Sequence, residues 1–439
     1  MRVKPIVFVK LIIFVTLFFF IEKGFEYILN DDTNSYTRIM MHELYDMDKV
    51  NVLFAGSSHS FMSAVPDVAD SELEVCSFNL GTSAQNMDGT YALIVEANKK
   101  NDIETVFLEV YYGVIGAKKV EDRPDLISTY AITDYMKPSF NKYRFLFSAG
   151  SKKHWINDVF ISRRYWEKMF EKGYVKDVIQ KKNCEAYRAY QPPAINESNQ
   201  QYIERGYVAN LSALENEAFM DKRAFGAINL ANVDDSLWKK YMNRIVEYCR
   251  KNSIELVFYI APEPQLTLLG KRNYDEYYSY MLKYTSNNNI PFYDFNLCRM
   301  EYFDTTDISN FADADHLSDK GAKEFTKLLC NIYKENSRVE DVFFKSFDEK
   351  VASEKKNVRG IAFNGEQKGL ECWDCYVISR NYDKEEYEII ASPQSGNSYT
   401  VEQISEGYFK IPSSEHGELL IKWHDSFDTD EFGEFSVTY

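Results

Sequence analysis

Two stretches of the chain alternate buried-strand patterns with helix patterns, and this alternation constrains the fold more than any other feature. In the first stretch, a continuous apolar run at Val50–Ala55 ends at a glycine and predicts a strand buried on both faces. Val75–Leu80 and Thr105–Tyr112 predict two further strands, with a helix between them at Asp88–Ala97. This order of elements is typical of a parallel sheet.

The second stretch repeats the pattern near residues 234–336. Strands are predicted at Ile254–Ala261 and Ile290–Phe295, and helices at Tyr274–Tyr284 and Ser318–Tyr333. Strands that alternate with helices of about 10–15 residues imply a parallel sheet covered on both faces. The two stretches together predict one α/β domain spanning residues 45–337.

An insertion at residues 114–233 separates the two stretches. It is rich in aromatic and basic residues, shows no strand–helix alternation, and has amphipathic stretches such as Trp155–Gly173. We therefore expect a helical insertion. It either caps the cleft of the α/β domain or has a purely structural role.

The C-terminal part of the chain has a different pattern. A charged stretch at Asp348–Asn357 predicts a linker, which we place at residues 338–357. After it, short strand-like runs separated by Gly, Asn and Ser predict a small all-β, sandwich-like domain at residues 358–439. Such a domain binds glycans, binds partners or packs on the rest of the protein, and the sequence leaves these alternatives open.

The N-terminus predicts an uncleaved signal anchor, a transmembrane helix at residues 1–30. Basic residues precede or interrupt an apolar run at Ile6–Ile21, and the part at Leu11–Ile21 carries no charge. No small-residue cleavage site follows. Because positive charge stays on the cytoplasmic side, the rest of the chain is expected outside the cytoplasm, at the cell membrane.

Charge and cysteine content exclude some functional classes. A formal net charge of −16 without a basic stripe argues against nucleic acid as a partner. The seven cysteines are spread thinly, which excludes a disulfide scaffold. Only Cys372 and Cys375 lie close together, either as a redox or metal half-site or as a local disulfide or two ordinary thiols. No second such pair and no nearby His complete a zinc set.

A serine-rich turn follows the first predicted strand, in the sequence Gly56-Ser57-Ser58-His59. Ligands bind at the carboxyl ends of strands in this architecture, and the N–H groups of the following helix can stabilise an oxyanion there. Serine needs a base to act as a nucleophile. Taken alone, such a turn is also typical of a simple helix cap.

A candidate base lies late in the chain, in the segment Asp313-Ala314-Asp315-His316. Residues three apart in a turn or short helix share a face, so Asp313 can bond one imidazole nitrogen while the other faces a nucleophile. A solvated acidic loop explains the same spacing. However, parallel strands bring their following loops to one edge of the sheet, so we expect Ser58 and His316 to meet.

The combined motifs resemble the SGNH (GDSL-like) hydrolase superfamily, which implies a flavodoxin-like three-layer sheet. The resemblance rests on Gly56-Ser57-Ser58, on Asn79-Leu80-Gly81, and on Asp313-x-x-His316 followed by Gly321-Ala322. It is strongest with membrane-anchored branches that act beside membrane-bound O-acyltransferases, such as the D-alanyl-lipoteichoic acid and alginate O-acetylation proteins. It implies Ser58 as nucleophile, Asp313 and His316 as its base pair, and Gly81 as an oxyanion donor.

One part of the family pattern is missing. After the third strand the family usually supplies an Asn to the oxyanion hole, and this chain has no Asn there. Gln85 or Tyr112 are the candidate replacements, and loss of one donor typically costs about 100-fold or more in rate. The membrane-anchored branches often lack that Asn too. His59 and Tyr112 are expected to line the substrate-binding rim, and Ser57 is the alternative nucleophile.

These observations predict an extracytoplasmic acyl esterase or O-acyltransferase that acts on a cell-envelope or exported glycopolymer. It would need no metal or organic cofactor, and its partners would be the membrane, the glycopolymer and a membrane-bound O-acyltransferase. A catalytically degenerate scaffold or glycan-binding protein of the envelope is the alternative. A phosphoryl-transfer enzyme is a further rival, but too few Asp and His residues cluster for a two-metal site.

Overall fold

The computed structural model describes most of the chain, with gaps that fall mainly in loops. The described residues are 5–115, 126–149, 157, 159–215, 219–221, 225–335, 339–354, 359–363, 372–379, 384–405, 407–412, 414, 416–427 and 430–439.

The strands, in chain order, are β1 (Val52–Ala55), β2 (Ser77–Asn79), β3 (Thr105–Glu109), β4 (Gln200–Glu204), β5 (Tyr207–Asn210), β6 (Phe219–Asp221), β7 (Glu255–Ile260), β8 (Phe292–Asp294), β9 (Gly360–Phe363), β10 (Cys372–Ile378), β11 (Glu385–Pro393), β12 (Tyr399–Thr400), β13 (Gln403–Ser405), β14 (Tyr408–Pro412), β15 (Gly417–Asp425) and β16 (Phe432–Thr438).

The α-helices are α1 (Pro5–Leu29), α2 (Tyr36–Asp46), α3 (Ser58–Phe61), α4 (Pro66–Leu73), α5 (Met87–Ala97), α6 (Ile127–Thr133), α7 (Phe140–Ala149), α8 (Ile161–Arg164), α9 (Tyr174–Lys182), α10 (Glu185–Arg188), α11 (Leu237–Lys251), α12 (Gln265–Gly270), α13 (Tyr274–Asn288), α14 (Asp319–Glu335), α15 (Val339–Val342) and α16 (Phe347–Glu354). Short 3-10 helices lie at Tyr112–Val114, Trp166–Phe170, Val233–Asp235, Phe295–Leu297 and Ile308–Asn310.

The prediction of a parallel α/β sheet is confirmed. Five parallel strands run in the order β2-β1-β3-β7-β8. Every residue of β1 and β3 is buried, which explains why β1 has a continuous apolar sequence rather than an alternating one. Helix α5 packs with α11, and α4 packs with α14. The carboxyl ends of the five strands therefore form one edge of the sheet.

The insertion is not purely helical, and this part of the prediction is wrong. Besides α6–α10 it contains the antiparallel hairpin β4–β5. The Asn79 N–H donates to the Arg205 carbonyl at 2.9 Å, which fixes the hairpin turn to β2. Gly206 has a φ of +83° and lies against the Asn79 carbonyl, where a Cβ atom would clash.

The amphipathic stretch at Trp155–Gly173 does not form one helix. Its described residues give the short helix α8 and then the 3-10 helix at Trp166–Phe170, while residues 155, 156 and 158 lie outside the described part. Its apolar residues share no single buried face, because Ile161 is buried whereas Trp166 and Phe170 are exposed.

The stretch interpreted as a linker is largely structured. Residues 339–354 contain α15 and α16, and the core of the α/β domain includes Phe347 and Val351. These two residues lie four apart and give the charged stretch one apolar face. The Lys350 ammonium donates to the Cys298 carbonyl at 2.6 Å.

The C-terminal region is antiparallel β, as predicted. One sheet has the order β13-β14-β10-β9-β6 and the other has the order β12-β11-β15-β16. Their facing side chains share one core that includes Ile361 and Val377 from the first sheet and Ile389 and Leu419 from the second. Strand β6 of the insertion pairs parallel with β9, so two distant chain segments build the first sheet.

The cysteine pair of this region lies on strand β10. Cys372 and Cys375 are three residues apart on an extended strand, so their side chains point to opposite faces. Both are free thiols, and Cys375 is buried. This geometry does not support a shared redox or metal site at the two positions.

Helix α1 exposes nearly all of its large apolar side chains, from Ile6 to Ile21. Its C-terminal half contacts α8, α9 and the 3-10 helix at Trp166–Phe170. Across the part of the chain that is described, no helix combines the length and the apolar character needed to cross a membrane.

Candidate active site

The chain turns sharply after β1, and a glycine makes this turn possible. A Cβ atom on Gly56 would lie 2.6 Å from the Cβ atom of Glu109, so no larger residue fits. Ser57 then caps α3, because its Oγ accepts the His59 N–H at 3.3 Å. Ser58 is therefore the first residue of α3 and lies at the carboxyl end of β1.

Glu109, the last residue of β3, holds the turn from the sheet. Its Oε2 accepts hydrogen bonds from both the N–H and the Oγ of Ser57, each at 3.0 Å, and its side chain is fully buried. Both polar groups of Ser57 are thus engaged, which argues against Ser57 as the nucleophile. Sequence reasoning missed this role of Glu109, and the only signal was an acidic residue at the end of a buried strand.

The two distant loops meet at this edge of the sheet. The Nε2 atom of His316 lies 2.8 Å from the Oγ of Ser58, across 258 positions of sequence. The Nδ1 atom of His316 lies 3.0 Å from both carboxylate oxygens of Asp313. Asp313 Oδ1 also accepts the backbone N–H of His316 at 2.9 Å, which holds the carboxylate beside the imidazole. The three predicted catalytic residues therefore form one continuous hydrogen-bonded chain.

A second carboxylate reaches the same imidazole. Asp315 Oδ1 lies 3.2 Å from His316 Nδ1, and its Oδ2 lies 3.5 Å from the hydroxyl of Tyr111. Asp315 is buried, whereas the Asp313 side chain is partly exposed. In the sequence, Asp315 stands out only as part of an acidic cluster, because its position next to His316 does not reveal which way its side chain points.

His59 packs behind the base rather than lining an open rim. Its ring stacks on Tyr111 with the ring centres 3.6 Å apart and on His316 with the centres 4.7 Å apart. Its Nε2 lies 4.0 Å from Asp315 Oδ2. Only 5% of His59 is exposed, so the residue contacts His316 instead of lining an open rim as predicted.

The electrostatics of the edge are dominated by buried carboxyl groups. Burial lowers the pKa of His316, but the hydrogen bonds and charges of Asp313 and Asp315 outweigh it and raise the pKa from 6.5 to about 10. Burial raises the pKa of Glu109 from 4.5 to about 7, despite the opposing hydrogen bonds from Ser57. Asp313 and Asp315 contact the imidazole of His316, and Glu109 holds the turn that carries Ser58.

The groups implied as oxyanion donors already have partners within the protein. The Gly81 N–H donates to the Asn79 side-chain oxygen at 3.0 Å. The Gln85 amide donates to Thr90 Oγ1 at 2.9 Å and its oxygen accepts from Thr82 Oγ1 at 2.8 Å. The first N–H groups of a helix have no partner inside that helix, so the Ser58 N–H is the donor that the geometry favours.

Tyr112 also differs from its expected role. Its ring is buried, and its hydroxyl donates to the carboxylate of Glu263, which is itself fully buried. The desolvated carboxyl group draws the hydroxyl inward, away from any substrate at the rim. Tyr111, the neighbouring residue, contacts His59 and Asp315, which both lie against His316.

One group of side chains at this edge has a spacing compatible with a metal ion. His59, Asp315 and His316 each place one ligand atom within 4.8 Å of the others, which no other set of His, Cys, Asp or Glu does within the described ranges. However, both ring nitrogens of His316 already contact Ser58 or Asp313. Binding a metal there would break the Ser–His–Asp chain.

Comparisons with known proteins do not place this chain in a family. No family model matches it, and no curated protein matches it.

Proposed function

We propose that this chain is an extracytoplasmic serine esterase or O-acyltransferase of the SGNH kind, acting on acyl groups of a cell-envelope or exported glycopolymer. The observation that carries the proposal is the unbroken contact from Ser58 Oγ through His316 to Asp313, with distances of 2.8 and 3.0 Å. Serine becomes a useful nucleophile when an oriented base takes its proton, and this arrangement supplies that base.

The proposed reaction has two halves. His316 Nε2 accepts the Ser58 proton as Oγ attacks the acyl carbonyl, and the Ser58 N–H donates to the oxyanion that forms. Asp313 and Asp315 stabilise the imidazolium, which then protonates the departing alcohol. His316 next takes a proton from water, for hydrolysis, or from a sugar hydroxyl, for transfer, and the activated oxygen attacks the acyl-Ser58 ester. The bond between Ser58 Oγ and the acyl group then breaks, and His316 returns the proton to Ser58 Oγ. Each step uses side chains of this chain, and none requires a metal or an organic cofactor.

Three features support an SGNH-like arrangement. The strand order β2-β1-β3-β7-β8 is the 2-1-3-4-5 order of flavodoxin-like sheets. The nucleophile turn follows the first strand, and the Asp313–His316 loop precedes the last helix that packs on α4. Gly81 touches the backbone of Ser57 and Phe61 so closely that a Cβ atom would clash, which supports its match to the family glycine.

We place the chain at the outer face of the cell membrane, attached through α1. The exposed apolar residues of α1, from Ile6 to Ile21, support attachment, and the basic residues Arg2, Lys4 and Lys10 favour a cytoplasmic N-terminus. A membrane-bound O-acyltransferase would be a fitting acyl donor at that surface. Fusion of a periplasm-active reporter to the C-terminus tests the orientation, which the proposal predicts to be outside.

A catalytically degenerate scaffold or glycan-binding protein is the second candidate. The engaged N–H of Gly81 and the acid Glu109 at the Asn position favour it, because both reduce the donors available to an oxyanion. The intact Ser58–His316–Asp313 chain argues against it. The two candidates differ in whether Ser58 reacts.

Release of acyl acids from native envelope polysaccharide tests the proposal. The purified chain is expected to release an acid such as acetate, and Ser58→Ala is expected to abolish the release. Ser57→Ala is the matched control and keeps measurable activity, because Ser57 holds the turn but does not react. Equal release by the wild type and Ser58→Ala, or loss of release only in Ser57→Ala, would contradict the assignment.

A further inference from the structure

A short segment of the insertion displays large apolar side chains to solvent. In the 3-10 helix at Trp166–Phe170, the exposed fractions are 52% for Trp166, 42% for Met169 and 75% for Phe170. We call these three residues the aromatic patch. Three neighbouring apolar side chains of this size are rarely left in water unless a partner covers them.

The patch lies beside α1, and its position along that helix is fixed by neighbouring contacts. The 3-10 helix contacts α1 directly. Just before it, Phe160 meets Phe18 edge to face with ring centres 5.5 Å apart. The Ser162 N–H donates to the Glu22 carboxylate at 3.2 Å. The patch therefore sits where the apolar run of α1 ends and its charged residues begin.

Charged side chains of both signs, including exposed Lys and Glu residues, surround the patch. Lys172 and Lys176 are exposed just beyond it, and Lys168 within the segment pairs with Glu171 at 2.7 Å. Trp at the boundary between an apolar and a charged zone, with Lys nearby, is typical of the interface between a bilayer and water. Continuity with the apolar surface of α1 indicates one occupant for both surfaces.

We propose that the aromatic patch inserts into the bilayer interface beside α1, so that a lipid membrane is its partner. This inference rests on the proposed attachment through α1 and deepens it. If α1 were the sole membrane contact, the domains that follow it could rotate about the axis of that helix. A second contact fixes its tilt and keeps the Ser58 edge at a constant orientation to the membrane surface.

Fluorescence quenching by brominated lipids tests this contact. The full chain is reconstituted into vesicles of phosphatidylcholine and phosphatidylglycerol, with or without bromine near the headgroup end of the acyl chains. Vesicle flotation in a density gradient first reports attachment. The difference between wild type and Trp166→Phe then isolates the signal of Trp166 from the other tryptophans, of which the chain has five in total.

The proposal predicts flotation and bromine-dependent quenching that falls about two-fold or more in Trp166→Phe, since Trp lies at quencher depth. Trp423→Phe is the matched control from the β region and does not lower the quenching. In Met169→Glu/Phe170→Glu the chain still floats through α1, but Trp166 loses its quenching and becomes accessible to acrylamide.

Two results would overturn the inference, and they are distinguishable. Flotation with equal quenching in wild type and Trp166→Phe removes the patch from the bilayer but leaves attachment through α1 intact. Failure of the wild type to float contradicts attachment through α1, and the patch proposal fails with it. Neither result bears on whether Ser58 reacts, so the catalytic proposal is tested separately.

Discussion

Two buried glutamates, one in each half of the molecule, have opposite surroundings. In the β region, the Glu385 carboxylate accepts hydrogen bonds from Arg359 Nη2 at 2.7 Å and from the hydroxyls of Ser379 and Tyr387. Although burial raises its pKa, these bonds outweigh it and hold the pKa of Glu385 below its ordinary value. Glu109 at the edge of the α/β sheet is bonded to Ser57, and burial raises its pKa to about 7.

The two regions therefore differ in whether a buried carboxyl group has a cationic partner. The β region neutralises its buried acid with a cation that also stacks on Trp423, 3.4 Å from the ring centre. The carboxyl edge of the α/β sheet instead collects acids whose pKa burial raises, including Asp294 and Glu263. Strongly perturbed groups of this kind cluster at functional sites.

The largest expected effect is on reactivity at the α/β edge. His316→Gln is expected to lower the rate of fluorophosphonate labelling by about 10⁴-fold, because it removes the base that activates Ser58. His424→Gln, on the exposed face of the β region, is the matched control and leaves the rate unchanged. A labelling rate within a few-fold of wild type in His316→Gln would show that the acids do not serve a catalytic base.

Glu385→Gln is expected to lower the free energy of unfolding by about 3–5 kcal/mol, because it leaves the Arg359 charge buried without a partner. Chemical denaturation, followed by the fluorescence of the β region, measures this change. Glu388→Gln removes an exposed partner of Lys422 and is expected to change stability by at most about 1 kcal/mol. The labelling rate of Ser58 stays the same in both variants. Equal stability in both would erase the contrast between the regions.

The same substitution at Glu109 is expected to act in the opposite direction on stability. Because the folded-state pKa is raised from 4.5 to about 7, folding loses stability as pH rises between these values and stays lower above them. Glu109→Gln removes this loss and gains about 1–3 kcal/mol at about pH 8. Its labelling rate falls, because the amide holds the Ser57 turn less well.

Denaturation at both ends of that pH window distinguishes this effect from a general stabilisation. The gain from Glu109→Gln should be present above pH 7 and small below about pH 4, where Glu109 is protonated in both the folded and the unfolded state. A loss of stability at high pH would mean that the Glu109 charge is compensated, as that of Glu385 is.

The smallest expected effect is a shift in pH dependence. The neutral fraction of His316 rises with pH through its pKa of about 10, where it reaches one half, and the labelling rate should rise with it. Asp315→Asn removes one of two carboxylates that favour the imidazolium, so the midpoint moves about one pH unit lower, or about 1.4 kcal/mol. Asp307→Asn, which loses an exposed partner of Lys320, does not move the midpoint.

The free energy of unfolding also depends on the protonation of His316 and falls as the imidazolium loses its proton. Because the pKa of His316 is raised, its stabilising contribution is complete below pH 6.5 and is lost as pH rises towards about 10. In Asp315→Asn this loss is smaller. An unchanged midpoint in that variant would show that Asp313 alone sets the pKa of the imidazole.

The sequence predicted the parallel sheet well because buried strands carry their own signal. All four residues of β1 are buried, so the apolar run had no polar interruption to obscure it. The strand ends were less accurate, since the apolar run at Val75–Leu80 yields only Ser77–Asn79 as strand. The sequence did not predict the hairpin β4–β5 or the pairing of β6 with β9, because both depend on contacts with distant segments.

The meeting of Ser58 and His316 could be predicted to the extent that loop topology fixes it. Parallel strands bring Ser58 and His316 to one edge whatever the side chains do, whereas the partners of Gly81, Gln85 and Tyr112 depend on packing inside the edge. Asp315 and Glu109 were missed for the same reason. Their importance follows from the direction in which each carboxylate points, which neither spacing nor periodicity encodes.

Mapping the residue modified by a fluorophosphonate probe tests the central claim most directly. We expect one adduct on the intact wild-type chain, located by mass spectrometry at Ser58. Ser58→Ala should give no adduct, and Ser57→Ala should give a slower but detectable adduct at Ser58. No adduct on the folded wild-type chain, or an adduct at Ser57, would contradict the claim that Ser58 and His316 form a working nucleophile and base.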